Sequence, residues 1–407
     1  MFLKMLSDFR REFHDYNRLF AESNRQNRRL VFYSERDIYY QYFDDYIQYV
    51  LDHSDIDICY ITSDPADPVF HTGDSRIHPF YISNFLASAL ARLDAKALVM
   101  TMPDLDQYHI KRSRNSVNHI YLFHGVGSTH LQYNKDAFNA YDTIFCIGKY
   151  DMNEIRKAER LYKLPPKTLV ECGYCRIEKI YAKHRSMPVA GEKTILIAPS
   201  WHNDNILACC ADELIDALKN SGYRVIFRPH PEFIKRKRKL VDALAAKLQQ
   251  IENMVLELDM VSDTSIHRAD VLITDWSAIS YEYAFGTERP VLFINAPCKI
   301  HNQDYRELEI EPIEFAVRSQ IGKEIEVGEI VSIRPVLEEL ICNRDAYRRQ
   351  IVDLRADCIS NWLNSSRAGG DYLIQCCTGP VVDVKTKHDN LSFKPDTTAQ
   401  RTKSGKA

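Results

Sequence analysis

The sequence contains no run of 18 consecutive apolar residues and no signal-peptide pattern. A chain lacking both is expected neither to span a membrane nor to be exported. Charge of one sign is also missing. The 53 lysines and arginines stand against 56 aspartates and glutamates, a net charge of -3, which argues against bulk nucleic-acid binding. The 11 cysteines are scattered without zinc-ligand spacing, and the adjacent pairs Cys209-Cys210 and Cys376-Cys377 are poor bridging partners. Reduced thiols and a cytoplasmic location are the simplest expectation. No cluster of metal-ligand residues is evident. What remains is a globular composition, 45% hydrophobic over 407 residues, with length enough for two domains.

The chain is organised around residues 269–297. A short apolar run, Val271 to Thr274, stops at Asp275 and reads as a buried strand. The turn Asp275-Trp276-Ser277-Ala278 opens a helical segment to Phe285, and Pro290 leads a second buried strand. Free backbone N–H groups and the dipole at such a helix mouth suit a phosphate. The plainer alternative is an ordinary strand-to-helix turn capped by Asp275 or Ser277.

Upstream, Tyr223 to Pro231 form a β-branched strand ending in Arg228-Pro229-His230-Pro231. The prolines stop the strand and fix the backbone on both sides of His230. A cation and an imidazole are thereby set at a strand's carboxyl end, where open α/β sheets bind ligands. In the first half, a strand over residues 119–123 ends in His124-Gly125-Val126-Gly127-Ser128. Gly125 and Gly127 let backbone come close to whatever sits above them, or they simply serve a turn.

Between these landmarks, apolar runs alternate with helical patterns, which implies largely parallel sheets. Strands are expected over 30–33, 56–62, 97–101, 142–147, 168–170, 194–198 and 254–258, and a helix over 79–93. The division read from composition is a basic amphipathic segment over 1–29, domains over 30–185 and 186–380, and a polar, disordered tail over 381–407. Residues 1–29 place aromatics among arginines, so they either lie on a membrane surface or pack on a domain or a partner subunit. The Lys235 to Lys239 run is a solvated helix face or an attractor of anionic acceptor or membrane. Trp201 and His202 follow another strand end and are weaker candidates for ligand contact.

The Arg228-Pro229-His230-Pro231 segment, followed by Asp275, Ser277, Glu282 and Pro290 in their spacing, resembles the CDP-glycerol glycerophosphotransferases. These are the teichoic-acid primases and polymerases and related capsule polymerases of bacteria. His124-Gly125 matches their histidine–glycine pair at a strand end. Ala278 departs from the pattern, standing where a second serine is usual; Ser280 would point elsewhere on a helix. The resemblance implies a GT-B-like fold, two Rossmann-like domains with parallel sheets facing across a cleft.

The implied reaction is transfer of a polyol phosphate, glycerol phosphate first, from a CDP-activated donor. The acceptor is a hydroxyl on a lipid-linked or polymeric chain, and CMP is released at the inner face of the plasma membrane. On this reading His124 is the base and His230 its catalytic partner. Arg228, Asp275, Ser277 and Glu282 hold the donor, and Gly125, Gly127, Pro229 and Pro231 shape the backbone. Asp275 is read as a turn-former or an orienter of His230, and His130 as a surface or acceptor contact. No cofactor is required, with Mg²⁺ on the diphosphate left open. Two rivals stand beside it. A GT-B glycosyltransferase using a CMP-sugar or another nucleotide-sugar would want an acid such as Asp104 as base. A non-catalytic membrane-associated binding protein would need neither histidine.

Overall fold

A computed structural model describes residues 2–379 apart from 189–190 and 260–261, with side chains from residue 5 onward. The polar tail expected over 381–407 lies outside the described residues. The first sheet contains β1 (Leu30–Ser34), β2 (Ile58–Thr62), β3 (Ile77–Tyr81) and β4 (Ala97–Met100). It is completed by β5 (Asn118–Leu122), β6 (Thr143–Cys146) and β7 (Thr168–Glu171). The second contains β8 (Thr194–Ile197), β9 (Arg224–Phe227), β10 (Met254–Leu256), β11 (Val271–Thr274), β12 (Val291–Asn295) and β13 (Gly322–Glu326).

Every pairing is parallel, in the orders β3-β2-β1-β4-β5-β6-β7 and β10-β9-β8-β11-β12-β13. Both are doubly wound sheets, with the reversal of strand order between the first and fourth strands, where a ligand crevice forms. Central strands such as β8 and β11 are buried at every position, as sheets covered on both faces require. Ile273 sits opposite Ile197 on one side and Leu292 on the other.

The helix expected over residues 79–93 is corrected: Ile77–Tyr81 is a strand and the helix is only Leu86–Arg92. Pro79 is tolerated because β3 is an edge strand. That edge is covered by the N-terminal helix Phe2–Phe20, whose Asp15 carboxylate accepts from the Tyr81 N–H (2.9 Å). Glu12 of the same helix takes the N–H groups of Ser83 and Phe85, both at 2.7 Å. The N-terminal helix is therefore built onto the first domain.

The chain also returns to that domain at its far end. The helix Ser365–Thr378 packs on the helix Tyr40–His53, with Leu373 and Cys377 in the core beside Tyr46 and Phe145. One CxxC spacing, Cys172 to Cys175, is present, but both thiols are buried and unbridged and burial pushes them well above their ordinary pKa. Among the described residues no helix is long and apolar enough to cross a membrane.

Candidate active site

A cleft of about 500 Å³ separates the two sheets, of the size that holds a nucleotide-sized ligand. Its first-domain wall carries Glu35, Tyr39, Asp104, His124, Gly125 and Gly127; its second-domain wall carries Trp201, His230, Trp276, Ser277, Lys299 and Arg318. The two histidines named from separate sequence motifs thus meet across one cavity. They are near enough for His124 to depress the pKa of His230.

His124 follows β5 and meets the ring edges of Tyr39 (5.5 Å) and Tyr42 (6.2 Å). Its Nδ1 is buried without a hydrogen-bond partner among the described residues, and the residue lines the cleft. Burial, then the charge of Lys299, push its pKa down to about 4, against the opposing pull of the Thr101 backbone. The ring is therefore neutral at working pH, as a proton acceptor must be.

His230 is the N-cap of the helix Pro231–Arg236, and Pro231 fits the first helical position. The Glu232 N–H donates to its Nδ1 at 3.1 Å. That bond fixes the tautomer, because a neutral ring accepting at Nδ1 carries its proton on Nε2. Burial, then Lys299, hold its pKa down to about 4. His230 is thus a neutral donor rather than a base.

The loop bearing His124 is held by two buried carboxylates. Glu314, from the second domain, accepts from the Ser128 N–H (2.9 Å) and Oγ (2.5 Å). Glu154 accepts from the Thr129 N–H (2.6 Å) and Oγ1 (2.7 Å). The two loop glycines admit the opposite domain. A Cβ on Gly127 would sit 2.9 Å from Glu314 Oε1, and one on Gly125 would sit 3.3 Å from the Ala278 methyl. The position where a serine is usual therefore packs on the histidine loop.

Several expected contacts fall elsewhere. Asp275 does not line the cleft: its carboxylate takes the N–H groups of Ser200 (2.8 Å), Trp276 (2.7 Å) and Ile206 (3.1 Å), tying three loops together. It orients the turn and not His230. Arg228 turns from the strand end toward Ser265 Oγ (2.8 Å), the Ser262 carbonyl (2.8 Å) and Glu257 (3.2 Å). Glu282 accepts from the Tyr174 hydroxyl (2.9 Å) with Arg176 at 3.7 Å, behind the cleft wall. Burial turned these groups toward partners that sequence spacing does not reveal.

Ser277 does line the cleft, and so does Ser280, whose Oγ donates to the Ser277 carbonyl (2.8 Å), contrary to the expectation that it points away. His130 is not a surface contact. It bridges the Ile310 carbonyl (3.1 Å) and Glu154 (3.3 Å) in the domain interface. His202 is taken up by Ser200 and the Pro297 carbonyl, while Trp201 stands in the cleft with the Lys299 Nζ 5.0 Å from its ring centroid. The Lys235 to Lys239 run is split between two helices and partly paired, Arg236 with Glu232 and Arg238 with Asp242. No sequence motif marks Lys299 or Arg318: Lys299 sits on an irregular segment and Arg318 opens the four-residue helix Arg318–Ile321.

Known proteins match this arrangement. The wall teichoic acid polymerase TagF, as a variant soaked with CDPG, superposes with a TM-score of 0.59 at 16% identity, covering 95% of this chain and 98% of that one. A second TagF variant gives 0.59 at 15% identity, with 94% and 99% covered. Anabaena HepE in complex with UDP and glucose gives 0.51 at 11% identity, with 85% and 99% covered. At these identities the likeness is one of fold, the GT-B arrangement. No curated protein matches at a significant level. The family model for CDP-glycerol:poly(glycerophosphate) glycerophosphotransferase matches residues 20–324, which include both histidines and the whole cleft. The chain belongs to that family and is a glycerophosphotransferase.

Proposed function

We propose that the cleft transfers glycerol phosphate from CDP-glycerol to a hydroxyl of a cell-surface polymer or its lipid-linked primer, as in teichoic-acid or capsule synthesis. The observation carrying this reading is the pair of neutral histidines facing each other from opposite domains. The acceptor hydroxyl attacks the distal phosphorus and gives its proton to His124 Nε2. As the new O–P bond forms, the bond from phosphorus to the bridging oxygen breaks, and CMP leaves with that electron pair. His230 Nε2–H donates to a phosphoryl oxygen where charge accumulates. The N–H groups at the start of the helix Ile279–Thr287, beside Ser277, face the same charge. Asp275, Arg228 and Glu282 support the walls from behind.

Purified protein offered CDP-glycerol, CDP-ribitol and CMP-sialic acid, each with an acceptor, tests this directly through CMP release. Release from CDP-glycerol that is abolished in His230→Ala and retained in Asp104→Ala is the expected outcome. Release from the CMP-sugar alone, lost in Asp104→Ala, would transfer the cleft to a glycosyltransferase.

The acceptor's membrane anchor has a counterpart in the N-terminal helix. Glu12, Asp15 and Leu19 are buried, while Met5 (63%), Leu6 (38%), Phe9 (50%) and Phe13 (56%) are left exposed, Phe9 with one side on Phe85. An apolar stripe of that kind, with Arg10 beside it, suits the interface of an anionic bilayer. Sinking two phenylalanines contributes about 3 kcal/mol or more, so Phe9→Ser with Phe13→Ser should weaken binding to anionic vesicles about 100-fold. CMP release with a soluble acceptor should not change. Undiminished vesicle binding in a sedimentation assay would remove the helix from this role.

A further inference from the structure

The donor's diphosphate needs positive charge, and the cation at the strand-end motif, Arg228, is committed to Glu257, Ser262 and Ser265. Among the described residues lining the cleft, two cations stand, Lys299 and Arg318, and no motif marks either. Lys299 follows β12 on an irregular segment. Its Nζ lies 5.0 Å from the Trp201 ring centroid and makes no hydrogen bond or ion pair with the described residues. It lines the same cavity as His124 and His230, and its charge reaches both.

Arg318 is 2% exposed. Its guanidinium lies 3.9 Å from the ring centroid of Trp276 and 4.5 Å from that of Phe293. Nη2 donates to Asn295 Oδ1 (2.8 Å), Nε lies 3.3 Å from Glu324, and Nη1 has no hydrogen-bond partner among the described residues. A buried cation with a spare donor is costly unless an anion completes its shell.

We propose that Lys299 binds the diphosphate of the CDP-activated donor and that Arg318 supports it from beneath the Trp276 turn. This assignment rests on the glycerophosphotransferase reading above. Lys299 is faced by Asp275 and Glu314, which favour its charge, and by His124, His230 and His301, whose own pKa values it lowers. Burial outweighs the two carboxylates and holds its pKa down to about 8. An arriving diphosphate restores the charge, so donor binding takes up a proton near that pH.

Calorimetry of CDP-glycerol binding at pH 8, in buffers of differing ionisation enthalpy, tests the assignment without turnover. The intact protein should take up about half a proton per donor bound, as a lysine titrating near 8 requires. Lys299→Arg should keep affinity and lose the uptake. Lys299→Gln should weaken CDP-glycerol about 10- to 100-fold, while binding of cytidine, which lacks phosphate, stays as before and reports an intact fold. Arg318→Gln should weaken the donor in the same selective way. CDP-glycerol affinity within twofold of the parent in Lys299→Gln, with unchanged proton uptake, would overturn the assignment. An intact protein that binds and turns over another nucleotide donor but not CDP-glycerol would instead overturn the reading it rests on.

Discussion

His124→Ala is expected to lower the turnover of CDP-glycerol with acceptor about 10²- to 10⁴-fold, the usual contribution of a positioned general base. The donor's KM should move little, since the diphosphate is gripped from the opposite wall. The pH dependence follows from the same ring. Burial and the Lys299 charge hold His124 down to about 4, so the acid limb of kcat/KM should lie near 4 and not at 6.5. The stability sign agrees. The unfolded imidazole takes a proton below about 6.5, whereas the folded one resists until about 4, so this group's stabilisation is lost as pH falls through that window. Activity of the alanine variant above a tenth of the parent, or an acid limb near 6.5, would remove His124 from the base role.

Glu314→Ala should cost about 2–4 kcal/mol, because the Ser128 N–H and Oγ are both left buried without an acceptor. The loss extends beyond stability. Ser128 Oγ also accepts from the Ile313 N–H (2.8 Å), so the three groups form a closed clasp between the domains. Four residues before it stands His124. A drop of several degrees in melting temperature, together with reduced turnover in the folded variant, is the expected pair of results. Glu314→Gln keeps one acceptor oxygen and should sit between the two. A melting temperature unchanged in the alanine variant would show that the clasp holds nothing.

The alternating sheets were legible because strands covered on both faces are written as unbroken apolar runs, β8 and β11 above all. The two histidines were legible because prolines and glycines mark the strand ends that carry them. Edge strands were harder. β3 contains Pro79, which in sequence reads as the start of a helix, and β13, Gly-Lys-Glu-Ile-Glu, is too polar to stand out. The direction a side chain takes from a strand end was not legible at all. Arg228 and Glu282 were placed at the ligand, yet each is drawn into a buried polar contact made by residues far off in sequence. Lys299 falls in irregular chain and Arg318 in a four-residue helix, and the position of both depends on the finished fold.

The return of the helix Ser365–Thr378 to the first domain has a consequence for how the chain is made. The last strand of the first sheet ends at Glu171, but Leu373 and Cys377 complete the core that β1, β5 and β6 share. At about 5–20 residues per second, a ribosome needs roughly 10–40 s to cover that interval. Throughout it, Tyr46 and Phe145 lack the part of their cover that this helix supplies. The second domain, assembled from contiguous chain, can close first and present a finished wall to a partner domain still waiting for its final helix.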